Sequence, residues 1–537
     1  MGAFVECYSV LVLYDYVRGR WYLLAALSGA LLIASFYPVY WWPLCFVALV
    51  PLCLTVGIPG IRPRTLFLAG LVAVGMLTFT FSFFLVVQFN WLPASPRFVE
   101  LIRWAGIAAA TLGYGSLFGL WLALYGWLRS RSALINALMG AALYIVAERI
   151  AEFSVGGYYL GVFAHAVTAL PVLVGLAAVG GASLVSFAVV LCNLVIAEAL
   201  MAPRESRRSA WRSGGVALAA LLAVSLANQA YLRAHDGPDE PFTAAAVQVA
   251  SHAQKVFASS TPGGALEFPW LGRTLAEAAQ DGTDLAVYPE SPVSGIATRD
   301  TAAVPADAAW VAGSEAALKD WMLVHAPKGA AVMTWENIAQ AGTITTQFQF
   351  WEKGELSGEL LKHSLLPFMD YEPAWARSVG LYSMPFDVAA GPAEAGVARV
   401  GGVAIGGLVC SEVHRQGRAR AEAAGARILI AAGSEAMFQD DGTSRFSLRA
   451  AQYRAAENNV PVVRASLLGP SAIIDRTGRI VSELPLGEGG IARGTVSVAP
   501  GARTPYSAWG NLPLAALIMI SVSLALRARF PGRKERD

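Results

Sequence analysis

The residues of this sequence that could do chemistry are one cysteine, one lysine and several carboxylates, each placed where a short apolar run ends. Glu290 ends Ala-Val-Tyr-Pro-Glu, Lys362 and Asp370 bound Lys-His-Ser-Leu-Leu-Pro-Phe-Met-Asp, and Cys410 and Glu412 end Gly-Gly-Leu-Val-Cys-Ser-Glu. A thiolate is a nucleophile, and a carboxylate beside it can take the thiol proton and return it to a leaving group. An ammonium group nearby lowers the pKa of a thiol and stabilises a tetrahedral oxyanion. These residue types therefore make chemical sense as one nucleophilic site.

Each of these residues also has an ordinary structural explanation. A lone cysteine that ends an apolar strand is usually an inert small hydrophobic residue. A glutamate after a proline is commonly a turn or helix-cap carboxylate, and most lysines lie on the surface. Glu412 and Asp370 could simply form ion pairs, and a fourth segment, which ends at Ser434-Glu435, is less informative. The residues alone predict a membrane-anchored α/β domain and leave open whether it is an enzyme.

An α/β domain must position these residues, because strand-like runs alternate with helical patterns between His235 and Tyr506. In open α/β sheets, sites assemble at the carboxyl ends of strands. The glycines of Gly401–Gly407 lack the ending of a phosphate loop and favour close packing of a buried strand. The predicted strands are Thr243–Ala250, Asp284–Tyr288, Thr345–Trp351, Val400–Val409, Arg427–Ala432, Pro461–Ala465 and Ser471–Ile474, and the predicted helices are Gly264–Ala279, Val413–Ala424 and Arg445–Asn458.

The rest of the chain has the composition of a membrane protein. Of its 537 residues, 55% are hydrophobic and 15% charged, against about 25% charged in soluble proteins. That composition excludes an ordinary cytosolic enzyme and a disordered chain, and a net charge of +2 argues against a nucleic-acid partner. A spanning helix needs about 20 apolar residues. About eight spans are predicted, near Trp21–Phe36, Trp41–Val56, Leu66–Val87, Ile102–Leu128, Ala133–Phe153, Pro171–Leu200, Ala217–Leu232 and Leu512–Leu526.

Basic residues cluster at alternate ends of these spans, which sets the orientation. By the positive-inside rule the basic loops and both termini are cytoplasmic, and seven crossings place the stretch from His235 to Tyr506 on the outer side. In a bacterial inner membrane that side is the periplasm. We therefore predict seven transmembrane helices in residues 1–234, a periplasmic domain in 235–508, and a last helix with a basic tail in 509–537. The basic clusters are Arg18/Arg20, Arg62/Arg64, Arg129/Arg131, Arg204/Arg207/Arg208/Arg212 and Arg527/Arg529/Arg533/Lys534/Arg536.

Longer motifs surround the reactive residues and give the chain a family resemblance. In Glu290, Lys362 and Cys410 it resembles the nitrilase superfamily with its Glu–Lys–Cys triad. With the membrane helices it resembles the apolipoprotein N-acyltransferase family along nearly its whole length, including the eight-span topology. The motifs are Val247-Gln248, Tyr288-Pro-Glu, Lys362-His-x-Leu-x-Pro-Phe, Cys410-x-Glu, Arg503-Thr-Pro-Tyr-x-x-x-Gly510-Asn-x-Pro, and Ala147-Glu148-Arg149 followed by Gly156, Gly157 and Tyr158.

The resemblance implies an αββα sandwich on a membrane base and an acyl transfer from a phospholipid to the N-terminal amine of a diacylglyceryl-cysteine lipoprotein. Cys410 would carry the acyl chain as a thioester, Glu290 would act as general base and then general acid, and Lys362 would hold the oxyanion. Glu412 would orient the pocket, and Asp370 would replace a family glutamate. No cofactor or metal is expected, because the histidines lack ligand spacing, and the expected state is a monomer.

The sequence departs from the family pattern around this triad. Ser411 stands where the family usually has an aromatic residue, and Pro367-Phe-Met-Asp370 replaces Pro-Phe-Gly-Glu. Gly433-Ser434-Glu435, continuing to Phe438, replaces an Asn-Asp-aromatic segment. These changes affect the acceptor, and with it the donor, more than the covalent step. They leave two other functional hypotheses open: a membrane-tethered amidase that uses water, and a conjugal-transfer TraB-type protein with a different substrate or none.

Overall fold

The structure, a computed structural model, describes residues 20–36, 41–86, 96–154, 161–249, 259–260, 266–267, 274, 276–279, 282–290, 297–298, 313–314, 330–340, 343–367, 369–378, 387–435 and 441–530. The chain divides into two compact units. A helical unit takes the described residues of Met1–Ser154, Tyr159–Ala227 and Asn511–Asp537, and an α/β unit takes those of Asn228–Gly510.

Fourteen α-helices lie in the described part of the chain. They are α1 (Trp21–Ser35), α2 (Val50–Leu54), α3 (Pro63–Val86), α4 (Pro96–Leu128), α5 (Ala133–Ser154), α6 (Pro171–Val174), α7 (Ala177–Gly180), α8 (Ala182–Met201), α9 (Arg204–His235), α10 (Ala374–Ser378), α11 (Gln416–Ala423), α12 (Asp441–Asn458), α13 (Pro505–Trp509) and α14 (Leu512–Arg529). Six of these, α3, α4, α5, α8, α9 and α14, are long and apolar enough to cross a membrane. The predicted polytopic helical membrane domain is thereby confirmed.

Three predicted spans are not single long helices. The first is the 15-residue helix α1. The second consists of a 3-10 turn, the short α2 and a second 3-10 turn, and each of the first two pieces has a proline in its first turn. Proline has no N–H to continue a preceding helix. The sixth is interrupted at Gly181, whose φ of 74° is left-handed, so only α8 is continuous there.

Asn193 satisfies backbone groups that the broken second span leaves unpaired. Its side-chain oxygen accepts from the Leu49 N–H (2.8 Å), and its amide donates to the Cys45 carbonyl (2.8 Å). Asn193 is fully buried on α8. In lipid, unpaired backbone groups are costly, so this side chain makes the interrupted helix tolerable.

A buried carboxylate joins three helix ends in the same unit. Glu198 on α8 accepts from Arg129 through Nε (2.8 Å) and Nη2 (2.9 Å) at the end of α4. It also accepts from Tyr125 and from the Asn136 amide, the latter at 3.1 Å. A paired, hydrogen-bonded charge is the form in which carboxylates occur at such depth. The carboxyl ends of α4 and α8 and the amino end of α5 therefore lie together.

The α/β unit is built on one large sheet. Its strands are β1 (Pro241–Val249), β4 (Leu285–Val287), β5 (Ala297–Thr298), β6 (Gly313–Ser314), β7 (Ala330–Gln340), β8 (Thr343–Glu352), β9 (Glu355–Leu361), β10 (Asp387–Val388), β11 (Ala398–Val400), β12 (Val403–Val409), β13 (Ile428–Ser434), β14 (Val462–Leu467), β15 (Ala472–Ile474), β16 (Ile480–Glu483) and β17 (Gly490–Ser497). Strands β2 (Ser259–Ser260) and β3 (Leu266–Glu267) form a separate pair.

The main path of the sheet runs β10-β8-β7-β4-β1-β14-β13-β12-β11. Its central neighbours, from β7 through β4, β1, β14 and β13 to β12, are parallel, so their carboxyl ends share one edge. The register pairs Ala246 with Val287 and Gly407 with Ile430.

The sheet curls so that β8 and β9 pack against β12, which gives the sandwich. Phe348 and Phe350 of β8 share one buried core with Ile405 of β12 and Ile430 of β13. Gly407 permits this approach, since a Cβ there would lie 2.6 Å from a ring carbon of Phe348. Gly407 thus permits close packing of a buried strand, as the sequence predicts.

Helices cover the outer face of β12–β14. Ala419 of α11 and Leu448 and Ala451 of α12 pack with Leu408 and Leu429 in a second buried cluster. This is the αβ layering of the nitrilase-like fold, and the predicted fold class is confirmed. The predicted helix at Gly264–Ala279 falls mostly outside the described residues.

Candidate active site

The predicted reactive residues all follow strands at their carboxyl ends. Glu290 comes three residues after β4, Lys362 directly follows β9, and Cys410 directly follows β12. Backbone hydrogen bonds continue the ladders beyond the strands, from Tyr288 N–H to Val332 (2.9 Å) and from Lys362 N–H to the Thr346 carbonyl (2.8 Å). The side chains of Glu290 and Lys362 are thus carried by backbone fixed to the sheet.

Cys410 occupies a tight turn between β12 and a 3-10 helix over Cys410–His414. Its φ is +54°, in the left-handed region that non-glycine residues seldom adopt. Such conformations persist where the surrounding structure enforces them, and they cluster at active sites. The turn lifts the thiol off the strand, and Cys410 is half-buried.

Glu412 fastens this turn to the segment that carries the lysine. One carboxylate oxygen accepts from the N–H groups of His363 (3.0 Å) and Ser364 (2.8 Å), and the other accepts from the Val409 N–H (3.0 Å). Arg418 lies 3.7 Å from the same carboxylate, which is buried. Glu412 therefore links the turn at Cys410 to the segment that follows Lys362.

Lys362 is a buried lysine, with only 2% of its side chain exposed. Its Nζ donates to Asp370 Oδ1 at 2.7 Å. Burial alone lowers the pKa of Lys362, but the neighbouring acidic groups Cys410, Glu290 and Asp370, each negative once ionised, outweigh burial and hold that pKa above its ordinary value. The amine is thus a fixed positive charge beside the thiol, and it is not a solvated surface lysine.

Glu290 meets both of these residues. Its carboxylate hydrogen-bonds the Cys410 thiol and interacts with the Lys362 charge, and Oε2 accepts from the Ser434 N–H at 3.1 Å. Burial raises the pKa of Glu290 above its ordinary value and outweighs the Lys362 ammonium and the hydrogen bond from Cys410, which both lower it. The charges of Asp370 and Glu435 raise that pKa further, by less. A carboxyl with a raised pKa is suited to take a proton in one step and return it in the next.

The thiol is protonated at rest. Burial, and then the Glu290 carboxylate, raise the pKa of Cys410 well above its ordinary value, although the Lys362 ammonium opposes this. A thiol in this state is a poor nucleophile until a base takes its proton. Glu290, which hydrogen-bonds the thiol, is in place to do so.

The departures from the family pattern have definite places. Asp370, although shorter than glutamate, reaches Lys362. Ser411 is buried, and its hydroxyl has no hydrogen-bond partner within the described ranges. Glu435 pairs with Arg464 and Ser466 behind the site. Met437 and Phe438, like Gly156, Gly157 and Tyr158, lie outside the described residues.

Two contributors to the site have no motif that reveals them. The Ser434 N–H contacts Glu290 through its backbone, and a backbone donor leaves no signature in residue type. Arg464 lies within the predicted strand Pro461–Ala465 and is fully buried. An arginine inside an apolar strand is a usable signal, because arginines are almost never buried without a partner.

Two family models match successive parts of the chain. The apolipoprotein N-acyltransferase N-terminal domain matches residues 28–195, and carbon-nitrogen hydrolase matches residues 243–506. The chain is similar to a solved Nesterenkonia AN1 amidase from the nitrilase superfamily, with 18% identity and a TM-score of 0.35 over 51% of this chain and 96% of that one.

Curated relatives match both parts at once. The apolipoprotein N-acyltransferase of Pseudomonas aeruginosa strain LESB58 is 28% identical over 532 residues, which is 96% of this chain and 97% of that protein. The one from Azotobacter vinelandii strain DJ is 29% identical over 95% of this chain and 96% of its own. With an N-acyltransferase N-terminal domain and a carbon-nitrogen hydrolase domain in the same order, the chain is similar to apolipoprotein N-acyltransferases over nearly its whole length.

Proposed function

We propose that this membrane protein transfers an acyl chain from a phospholipid to the N-terminal amine of a diacylglyceryl-cysteine lipoprotein through a thioester on Cys410. The observation that carries the proposal is the meeting of Glu290, Lys362 and Cys410 at the carboxyl ends of strands. The full-length similarity to N-acyltransferases supports the substrate classes.

In the first half-reaction Glu290 takes the proton of the Cys410 thiol as the sulfur attacks the ester carbonyl of the phospholipid. The oxyanion that develops on the carbonyl oxygen is stabilised by the Lys362 ammonium, which Asp370 holds in place. The ester C–O bond then breaks, and Glu290 returns its proton to the departing alkoxide of the lysophospholipid. The products are a lysophospholipid and an acyl-thioester.

In the second half-reaction the lipoprotein amine attacks the thioester carbonyl. Glu290, again a carboxylate, takes a proton from the attacking nitrogen, and Lys362 again stabilises the oxyanion. The C–S bond breaks, and Glu290 gives the proton to the departing thiolate. The thiol is restored with an amide as product, so no metal or redox partner is needed.

Placement in the membrane follows from the charged ends of the spans. We propose that the protein lies in the bacterial inner membrane as a monomer, with both termini cytoplasmic and the α/β domain in the periplasm. Arg129, which the structure places together with the carboxyl end of α8, belongs to one of the predicted cytoplasmic clusters. The donor is then a phospholipid of the outer leaflet.

A product assay tests the transfer. The purified protein is incubated in phospholipid vesicles with a diacylglyceryl-cysteine peptide, and the products are weighed by mass spectrometry. We expect an N-acylated peptide and lysophospholipid in equal amounts. Free fatty acid without acylated peptide would instead show a hydrolase, and no reaction at all would contradict enzymatic activity toward these substrates.

Cys410→Ser should lower this transfer by a factor of roughly 10⁴ or more, because a lost nucleophile removes the covalent route. The matched control is Cys192→Ser, which changes another half-buried free cysteine, on α8. The control should keep wild-type activity, and both variants should elute as folded protein. Transfer by Cys410→Ser at the wild-type rate would eliminate the thioester mechanism.

A further inference from the structure

A second buried ion pair, Arg464 with Glu435, lies next to the site. Arg464 on β14 donates through Nη2 to Glu435, and its Nε donates to the Pro470 carbonyl at 3.2 Å. The side chains are 1% and 3% exposed. The Ser466 hydroxyl donates to the other oxygen of Glu435. The carboxylate is thus held from two directions, in a place where an unpaired charge would be very costly.

This pair lies next to the backbone that supports the base and the nucleophile. A Cβ placed on Gly433 would lie 3.8 Å from the Cys410 Cα, 3.8 Å from Glu435 Oε1 and 3.9 Å from Arg464 Nη1. The next residue, Ser434, gives its N–H to Glu290. The Glu435 N–H donates to the Leu467 carbonyl at 2.8 Å and so ties this segment to the end of β14.

Resting on the proposed function, we propose that Glu435 and Arg464 are positioning residues for the transfer: the pair fixes the end of β13 so that the Ser434 N–H holds Glu290 against the Cys410 thiol. Neither residue touches substrate. Arg464 is anchored on β14, Glu435 pairs with it, and Ser434, the residue before Glu435, donates its N–H to Glu290. Without the Glu435–Arg464 pair, the Glu290 carboxylate could move away from the Cys410 sulfur.

The charge of Glu435 has a second effect at the same place. Among the residues that the structure describes, the charged or titratable groups that act on Glu290 are Cys410, Lys362, Asp370 and Glu435. The negative charge of Glu435 disfavours the ionised form of Glu290 and so raises its pKa. Removing that charge should lower the pKa of Glu290, whereas a purely structural role of Glu435 predicts no change in titration.

Alkylation of Cys410 by iodoacetamide, followed by peptide mass spectrometry across pH, tests this without any lipid. It therefore gives an answer even if the protein proves not to transfer acyl chains. In Glu435→Gln we expect the midpoint of the alkylation rate to move to lower pH by about half a unit or more. The matched control is Glu457→Gln, which breaks the buried pair with Arg454 (2.9 Å) on α12 and should leave the midpoint unchanged.

A milder variant covers the case in which Glu435→Gln does not fold. Ser466→Ala removes one hydrogen bond to Glu435 and keeps both charges, so it should keep the wild-type midpoint while slowing alkylation by about tenfold through misplacement of Glu290. An unchanged midpoint in folded Glu435→Gln would overturn the proposal. An equal shift of the midpoint in Glu457→Gln would also overturn it. If Glu435→Gln does not fold, alkylation of Ser466→Ala at the wild-type rate would overturn the proposal instead.

Discussion

Asp370 shows how a shortened side chain can keep its contact. The segment after Lys362 turns back, with the Asp370 N–H bonded to the Leu366 carbonyl at 2.9 Å and Oδ2 accepting from the Leu366 N–H at 2.7 Å. This closed turn brings the carboxylate to 2.7 Å from the ammonium. A buried ammonium in contact with a carboxylate is well oriented, and a preoriented charge stabilises an oxyanion best.

Asp370→Asn should therefore change both the rate and the pH dependence of thioester formation. The Lys362 ammonium loses its charged partner, which should lower the maximal rate roughly 10- to 100-fold. Asp370 also raises the pKa of Glu290 and of Cys410. Removing its charge lowers both values, so the acid limb of the profile should move to lower pH. Single-turnover rates measured across pH give both quantities.

The wild-type profile and a control complete this prediction. The pKa of Glu290 is raised above the 4.5 of an ordinary glutamate. As the pH is lowered, acylation should therefore begin to fall before pH 4.5 is reached, because the base becomes protonated. Asp387→Asn removes a carboxylate that pairs with Arg377 at 2.7 Å and should leave the profile unchanged. An acid limb that stays in place in Asp370→Asn would show that Asp370 does not act on the reacting groups.

The sequence places Glu290, Lys362 and Cys410 together only through the family resemblance of the motifs around them, because each residue alone also has an ordinary structural explanation. It could not predict that Lys362 is buried, since burial depends on the packing of distant segments. Nor could it predict the Ser434 N–H, because every residue except proline has that group. What these residues do in the reaction is a prediction that the experiments above test.

At the scale of elements, each of the seven predicted strands overlaps a strand in the structure. Continuous apolar runs are typical of strands buried on both faces, as parallel strands are. Of the several strands that no apolar run predicted, β17 lies antiparallel to β1 from Pro241↔Ser497 to Gln248↔Gly490. It contains Arg493 and Gly494 and is partly exposed along most of its length, so no apolar run marks it.

Apolar runs predicted where apolar helices lie but did not predict the breaks within them. Proline and glycine in a lipid-exposed run can be absorbed when a neighbouring side chain supplies the missing hydrogen bonds. The interrupted segment around Cys45 and Leu49 depends on such a partner, Asn193, which lies far along the chain. Local periodicity cannot reveal this kind of distant partner.

Replacing that partner should destabilise the helical unit. Asn193→Leu has a similar volume but leaves the Leu49 N–H and the Cys45 carbonyl unpaired, which should cost about 1–3 kcal/mol of unfolding free energy. Thermal unfolding in detergent should show a lower midpoint. Cys192→Ala, a change at the adjacent half-buried residue, should shift it much less. An Asn193→Leu protein as stable as wild type would mean that these backbone groups find other partners.

At the scale of the whole molecule, the composition already indicates a membrane protein. With 55% hydrophobic residues, the chain has more apolar surface than a soluble fold can bury, and the six long apolar helices account for the excess. The α/β unit has its own cores between the sheet layers and beneath α11 and α12. The acceptor and the donor were beyond prediction from composition or pattern, because specificity depends on the shape and contacts of the site.

The orientation of the chain is testable with two reporter fusions. Alkaline phosphatase joined after Asp239 should be active, because that enzyme folds only in the oxidising periplasm. Green fluorescent protein joined after Asp537 should be fluorescent, since the positive-inside rule places the basic C-terminal end in the cytoplasm. The opposite pattern, an inactive phosphatase and a dark fluorescent protein, would reverse the proposed topology.

The most direct test of the central claim is the intact mass of the protein after incubation with phospholipid vesicles in the absence of an acceptor. The account predicts one added acyl group, mapped to Cys410, cleaved by hydroxylamine, and lost when a lipopeptide with a free N-terminal amine is added but not when that amine is acetylated. A protein that gains no acyl group, or gains one on another residue, or holds it unchanged in the presence of the free amine, would contradict the account.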